Sequence, residues 1–358
     1  MKTRIGIIGC GNISPLYLKG KEYFSNLEYY ALSDIDMDLA RQRAEEFGIK
    51  KVMSVDELLA DNDVDLILNL TVPNVHAEIS KKALLAGKHV YSEKPISTDL
   101  GDAGELLEIA KKANKRLAVA PSTFLGATVQ TARKAIDDGL IGEVVAANCF
   151  FLSHGMESWH PNPEFFYQPG AGPLLDMGPY YLAALIAILG PVKRVSAVSK
   201  IGLASRAPAS GPNAGKSFKV NTPTHISTNL EFADGPIANL NTSFDVWHSE
   251  LPKFEIYGTK GSLSLGAPNS FEAEVRIRKD TDDEWRALEF VAPAKTLEEG
   301  WCVALADFVS SIENGTEHRA SAQIGLHLFE IMQASLVSAK EAKFIDIKSS
   351  CARPKPIY

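Results

Sequence analysis

Between residues 4 and 120 the chain alternates short apolar runs with helical stretches, and this rhythm most narrows what it can fold into. Runs at 4–8, 27–33, 51–53, 65–70, 88–92 and 116–120 have the length and composition of buried strands. Between them lie helical patterns such as 37–47, 75–86 and 100–113, with Gly48 and Gly87 placed where a left-handed residue can close a helix. Strands joined through helices cannot pair as tight hairpins, so the rhythm predicts a parallel sheet with helices on both faces. Six strands complete a doubly wound, dinucleotide-type domain over 1–122.

After Pro121 the rhythm changes. A helix at 128–138 leads into long alternating strands at 144–152, 192–201, 224–232 and 237–246, and Asp234-Gly235 between the last two is a hairpin signal. Further strands are expected at 254–257, 262–265 and 274–278, and helices at 297–313 and 322–342, with 202–216 a long Gly/Ala/Ser/Pro-rich loop. The prediction is a second, α+β domain over 123–358, built on a large, mostly antiparallel sheet. Lys+Arg 37 against Asp+Glu 44 leaves a net charge of -7, so no basic field invites nucleic acid or an anionic membrane. The longest apolar run, 180–189, is too short to span a bilayer and reads as a buried helix. Four scattered cysteines without a CxxC pair, and an opening Met1-Lys2-Thr3-Arg4-Ile5 with no hydrophobic leader, lead to the expectation of a cytoplasmic protein with reduced thiols. No histidine pair has metal-site spacing, and no metal is expected.

The chemistry-bearing motifs fall at strand ends. Gly9-Cys10-Gly11-Asn12-Ile13-Ser14 follows the first strand and opens a helix. Gly9 permits the tight turn, Gly11 lets a pyrophosphate approach the backbone, and Ser14 stands where a third small residue packs helix on strand. Asn12 and Ile13 complete the candidate loop. Asp34 ends the second strand, where a carboxylate accepts hydrogen bonds from ribose hydroxyls and repels a 2′-phosphate by about 3 kcal/mol per unit charge at about 5 Å and an effective dielectric near 20. NAD is therefore favoured over NADP. The alternative is that Asp34 or Asp36 caps the next helix, and Asp36 is the better cap. Thr71, Asn74 and His76 follow the fourth strand and line a cofactor cleft, unless Asn74 caps the next helix and His76 lies in its first turn. Glu93-Lys94-Pro95 follows the fifth strand. Lysine is protonated far above neutrality, so work as a base requires burial or a neighbouring positive charge such as oxidised nicotinamide. While protonated it can still polarise a carbonyl. Otherwise Lys94 is a solvated lysine before a turn.

Gly9-x-Gly11, Thr71-x-Pro-Asn-x-x-His76, Glu93-Lys94-Pro95 and Gly172-Pro-Leu-Leu-Asp176-Met-Gly-Pro-Tyr180, with Thr222-Pro-Thr-His225 and Glu255-Ile-Tyr-Gly-Thr-Lys-Gly261, together resemble the glucose–fructose oxidoreductase / inositol dehydrogenase / MocA family over nearly the whole chain. The resemblance implies an N-terminal Rossmann domain carrying NAD, with Glu93, Lys94 and Pro95 beside it. It also implies a C-terminal open sheet that carries substrate specificity and homodimer or homotetramer contacts. The implied chemistry is hydride exchange with an alcohol or ketone of a sugar, cyclitol or related polyol. Lys94 would help deprotonate the hydroxyl, with Asp176 and Tyr180 as partners; many relatives have histidine where this chain has Tyr180. Asp176 and Tyr180 share a helix face at i and i+4 spacing. Alternatively Asp176 is an N-cap, with the helix starting near Met177, and Tyr180 a core tyrosine. Trp159 and His160, with Phe165, Phe166 and Tyr167, can stack on a sugar ring or anchor a loop. His225, His248 and His327 read as structural. Two rival functions remain: an NAD-dependent glycoside hydrolase of the same family type, and a non-catalytic NAD(H) sensor.

Overall fold

In a computed structural model that describes residues 2–291 and 297–358, the chain divides into two compact units. Met1 and residues 292–296, which the expected domains included, lie outside the described residues.

The first unit carries a six-stranded parallel sheet: β1 (Arg4–Ile8), β2 (Glu28–Ser33), β3 (Lys51–Val52), β4 (Leu66–Asn69), β5 (His89–Ser92) and β6 (Leu117–Val119), in the order β3-β2-β1-β4-β5-β6. β4 is buried along its whole length, as a strand covered on both faces must be. The covering helices are α1 (Ser14–Leu18), α2 (Met37–Phe47), α3 (Val55–Ala60), α4 (His76–Leu85) and α5 (Leu100–Lys112). Their ends follow local chemistry. The Asp36 carboxylate accepts from the Asp38 and Leu39 amides at the start of α2, and Gly48 closes that helix at φ 67°. Ser54 and Glu57 form a reciprocal capping box on α3. Register places Ile8 beside both Ser33 and Asn69, and Asn69 beside Ser92. The carboxyl ends of β1, β2, β4 and β5 therefore lie abreast, and so do the loops that leave them.

The boundary differs from the 1–122 and 123–358 division expected. The first unit is Met1–Gly126 together with Lys295–Phe329 and Pro354–Pro356, so helix α8 (Leu297–Asn314), far along the chain, belongs to the dinucleotide-type sheet. The reason is packing. Cys302 lies so close to Gly20 that a side chain there would meet its sulfur, and Phe308 packs against Tyr91 with ring centroids 6.1 Å apart. The Val119 amide then donates to the Ala320 carbonyl beyond the sheet edge. Nothing local in the sequence of α8 specifies which sheet it joins.

The second unit is built on a nine-stranded mixed sheet. Its strands are β7 (Val144–Leu152), β8 (Val192–Lys200), β11 (His225–Phe232), β12 (Ile237–Ser243), β13 (Phe254–Gly258), β14 (Gly261–Leu265), β15 (Val275–Lys279), β16 (Arg286–Ala287) and β17 (Ile345–Asp346), ordered 16-15-14-13-7-12-11-8-17. All pairings are antiparallel except β7 with β12. One face, including Ala147, Cys149, Ile226, Leu240 and Ile256, is buried, with helices α6 (Ala127–Asp137) and α7 (Pro173–Leu189) contacting the sheet. The apolar run 180–189 is buried throughout in α7, as expected. Residues 202–216 are not wholly irregular: β9 (Ser205–Arg206) pairs antiparallel with β10 (Phe218–Lys219). Arg206, in this stretch, is buried and pairs with Glu157. The final helix, α9 (Ala322–Glu341), runs from residues of the first unit into residues of the second. No helix among the described residues is long and apolar enough to cross a membrane.

His89 makes the first unit sensitive to acid. Its Nδ1 accepts from the Arg116 amide, and burial, reinforced by Lys115 and Arg116, pushes the imidazole down from 6.5 to about 4. The folded state thus holds the ring neutral where the unfolded chain protonates it, so stability is full above the unfolded value and falls as pH drops from 6.5 toward 4. In urea unfolding, His89→Asn, which keeps an acceptor for the Arg116 amide, is expected to lose less stability between pH 7 and pH 5 than the native chain.

Candidate active site

The carboxyl edge of the parallel sheet gathers the candidate cofactor residues. Gly9 leaves β1 at φ 103°, and a Cβ there would lie 2.5 Å from the Leu70 carbonyl oxygen, so only glycine fits. Gly11 is different. It is exposed, its φ is not in the left-handed region, and a Cβ would meet nothing within 4 Å. No packing inside the chain requires glycine there, which leaves open ground over Gly11 and the adjacent Asn12 and Ile13 for a ligand to lie against the backbone. Ser14 is fully buried and its hydroxyl donates to the Gly11 carbonyl at 2.9 Å, closing the loop from beneath. The helix that follows is short: α1 has five residues before the backbone tightens into a 3-10 turn at Lys19–Glu22.

Asp34 and Asp36 divide the two roles weighed for them. Asp36 is the helix cap. Asp34 Oδ2 accepts from the Cys10 amide at 2.6 Å and Oδ1 from the Asp36 amide at 2.9 Å. Its carboxylate is thereby anchored to the glycine loop, half-exposed, with further lone pairs for a diol. Burial, then Asp34, push the Cys10 thiol up to about 12, so it stays neutral. Motif reading missed Arg43. Its Nε donates to the Cys10 carbonyl at 3.4 Å and its guanidinium pairs with Glu46 at 2.6 Å. No local signal marks Arg43, because its partner, the Cys10 carbonyl, lies 33 residues earlier in the chain.

At the end of β4, Asn69 is fully buried and knits the loop to α4. Its Nδ2 donates to the His76 carbonyl and the Ser80 hydroxyl, while its Oδ1 receives the Thr71 hydroxyl at 2.6 Å. Asn74 is exposed in the 3-10 turn Pro73–Val75, and no side chain caps α4, so the capping role considered for Asn74 does not hold. His76 is not on the cleft surface expected of a cofactor contact. It is 1% exposed as the first residue of α4, with Nδ1 2.7 Å from the Pro95 carbonyl oxygen and Nε2 2.9 Å from the Thr71 carbonyl oxygen. The ring bridges the loops after β4 and β5. Glu93 is likewise buried: one carboxylate oxygen accepts from Tyr17 Oη at 2.6 Å, the other from the Lys94 amide at 3.0 Å. Burial, then Glu93, hold the Tyr17 phenol well above its ordinary range, so it remains the donor. Glu93 thus pins the turn, and the half-buried Lys94 and Pro95 follow it at the strand edge.

In the second unit α7 begins at Pro173 and its N-cap is Gly172, at φ 101°. The Asp176 amide already donates to the Gly172 carbonyl, so Asp176 is a first-turn residue and not the cap. The start near Met177 is corrected accordingly. Pro179 lies inside the helix without ending it, and Tyr180, one turn beyond Asp176 on the same face, is 8% exposed. Trp159 is 62% exposed, whereas His160 sits among Trp159, Phe165 and Phe166 with centroids 5.3–5.4 Å away. His225 Nδ1 meets the Ser243 hydroxyl within the sheet, and His327 is fully buried.

Comparison with known proteins agrees with the fold. A family model described as the oxidoreductase family with an NAD-binding Rossmann fold matches residues 3–120, and one described as the GFO/IDH/MocA C-terminal domain matches 129–264. The chain is similar to a D-xylose dehydrogenase of Paenarthrobacter nicotinovorans, 28% identical over 321 residues, covering 82% of this chain and 80% of that protein. It is also similar to a myo-inositol 2-dehydrogenase of Thermotoga maritima, 24% identical over 348 residues, covering 96% and 98%. The structure of a levoglucosan dehydrogenase in complex with NADH and levoglucosan superposes with a TM-score of 0.83 over 98% of this chain and all of that one, at 20% identity, a likeness of fold.

The two loop glycines give a test. Gly11→Ala is expected to fold with unchanged thermal stability yet weaken NADH binding about tenfold or more in a fluorescence titration, about 1.4 kcal/mol. Gly9→Ala is expected to lower the melting temperature first.

Proposed function

This chain belongs to the glucose–fructose oxidoreductase / inositol dehydrogenase / MocA family of oxidoreductases with an NAD-binding Rossmann fold, and on that premise we propose that it uses NAD(H) to interconvert an alcohol and a ketone on a sugar, cyclitol or related polyol. The observation that carries the cofactor preference is the Asp34 carboxylate, anchored to the Cys10 amide at the end of β2. A fixed negative charge there favours a ribose diol and opposes a 2′-phosphate. The open ground at Gly11 fits the pyrophosphate, and Thr71 and Asn74 are assigned to the same cleft.

Bound there, the nicotinamide supplies the hydride acceptor or donor; the protein supplies placement and proton handling. Lys94 is assigned to the substrate hydroxyl, holding its oxygen through the ammonium or taking its proton. Glu93 determines where Lys94 begins by accepting from the Lys94 amide. Tyr180 is the second proton-transfer group, and Asp176, one helical turn before it, orients the substrate. D-Xylose and myo-inositol, on which two relatives act by name, are natural first substrates to try.

NAD and NADP reduction across sugars, sugar acids and inositols tests the reading. Net NADH formation with one class of polyol is expected; release of free sugar from a glycoside without net NADH would select the hydrolase instead. Lys94→Ala should lower kcat by about 10²–10⁴-fold while the NADH Kd stays within about threefold. Near-normal turnover of that variant removes Lys94 from the mechanism. Asp34→Ala should narrow the preference for NAD over NADP about tenfold or more, and a native preference for NADP would overturn the role given to Asp34.

A further inference from the structure

Arg206 is the most buried charged group of the second unit whose role no motif announces. Its side chain is 1% exposed and pairs with two carboxylates, Glu157 and Asp245, themselves 13% and 17% exposed. Its Nη1 also donates to the His154 carbonyl and its Nη2 to the Phe244 carbonyl, each at 2.9 Å. The guanidinium lies 5.1 Å from the Tyr167 ring centroid, and the Tyr167 hydroxyl donates to Glu157 and accepts from the Met156 amide. Thr224 completes the set by donating to Asp245 at 2.7 Å. One planar fork therefore ties the segment leaving β7 to the segment leaving β12, and Asp245 extends the tie to the segment entering β11 through Thr224.

Those segments emerge at one edge of the sheet, because β7 and β12 run parallel with Leu152 beside Ser243, and Ser243 beside His225. The start of α7 lies at the same edge: the Thr222 hydroxyl donates to the Ala171 carbonyl, and a Cβ on Gly172 would sit 3.0 Å from the Pro223 oxygen. Asp176 is thus carried on a helix that begins beside this cluster. The edge is also aromatic. His154 stacks on Trp247 with ring centroids 3.2 Å apart at 16°, and Trp247 is 71% exposed, so its outer face is open. Trp159 follows Glu157 by two residues and is 62% exposed.

We propose that Arg206 is a positioning residue that fixes an aromatic rim, made by the Trp247–His154 stack and Trp159, as the face that takes the ring of a sugar or cyclitol substrate. The proposal rests on the polyol reading above. The C–H face of such a ring carries partial positive charge and suits the negative face of an indole, while its hydroxyls remain for polar partners. A rim built on loops needs its rotamers and backbone held from behind, and a buried arginine whose two terminal nitrogens each serve a carboxylate and a carbonyl does this with more geometric constraint than a lysine, which cannot serve four acceptors in one plane.

Arg206→Lys, which keeps the charge but not the fork, and Trp247→Ala test it. Hydrogen–deuterium exchange of Arg206→Lys is expected to rise about tenfold or more in peptides covering 153–168 and 243–248, with peptides of the parallel sheet unchanged. With D-xylose and myo-inositol as probes, both variants should raise KM about tenfold while kcat and the NADH Kd stay within about threefold. Unchanged exchange at 153–168, or an increase spread equally through both units, overturns the positioning role. A KM for Trp247→Ala equal to that of the native chain overturns the rim. If the native chain turns over no polyol, the polyol reading fails by itself, the sugar-binding rim fails with it, and exchange still decides whether Arg206 holds these segments.

Discussion

The parallel register of β1, β2, β4 and β5 is the constraint on which the first unit depends. Because Ile8, Ser33, Asn69 and Ser92 lie abreast, the glycine loop, Asp34, Thr71 and Lys94 all leave the sheet at one edge. Register alone would leave four independent loops. What joins them is a set of polar side chains, the half-exposed Asp34 to the Cys10 amide, the buried His76 between the Thr71 and Pro95 carbonyls, and the buried Glu93 from Tyr17 to the Lys94 amide. Asp34 and Glu93 accept from backbone amides, and a His76 ring nitrogen supplies a donor to a loop carbonyl, so backbone groups here keep partners away from water. The groups best placed to touch a ligand, Gly11, Asn12 and Asn74, are those the chain leaves exposed.

The second unit solves a similar problem with different material. Its sheet is mostly antiparallel, so the strand ends that matter come from the single parallel pair, β7 and β12, and from the β11 end that meets them. The segments there are tied by backbone bonds such as Val246 amide to Ser153 carbonyl and Phe244 amide to Thr224 carbonyl. They also hold the ionic cluster at Arg206 and a small apolar group that includes Met156, Tyr167, Phe218 and Phe244. Removing one partner from such a cluster strands the others, which makes its geometry hard to vary piecemeal.

Much of this was legible in the chain itself, and for local reasons. Gly9 reads as a turn glycine because the backbone conformation needs it, and Asp36 reads as a cap because its side chain reaches amides two and three residues on. Asp234-Gly235 marked the β11–β12 hairpin, where Gly235 has φ 104°. The residues for which the sequence left two readings open, or none, were decided by contacts that motif spacing does not specify. His76 looked like a cleft residue because motif spacing says nothing of which carbonyls its ring will meet. Asp176 looked like a possible cap because Pro179 suggested a later helix start, yet α7 begins at Pro173 and accommodates Pro179 in its interior. Arg206 was hidden in a stretch whose composition resembles a surface loop.

Periodicity, turn chemistry and motif spacing act within a few residues, so the chain read alone shows the strand–helix rhythm, the dinucleotide-type loop, the family resemblance and the residue types available for proton transfer. Folding in three dimensions is what joins α8 to the first unit, sets Glu93 and His76 between loops while Gly11 stays open, and pairs Arg206 with Glu157 and Asp245. These depend on burial and on hydrogen-bond partners tens to hundreds of residues away. Such partners are selected when the chain excludes water and every buried polar group must find one.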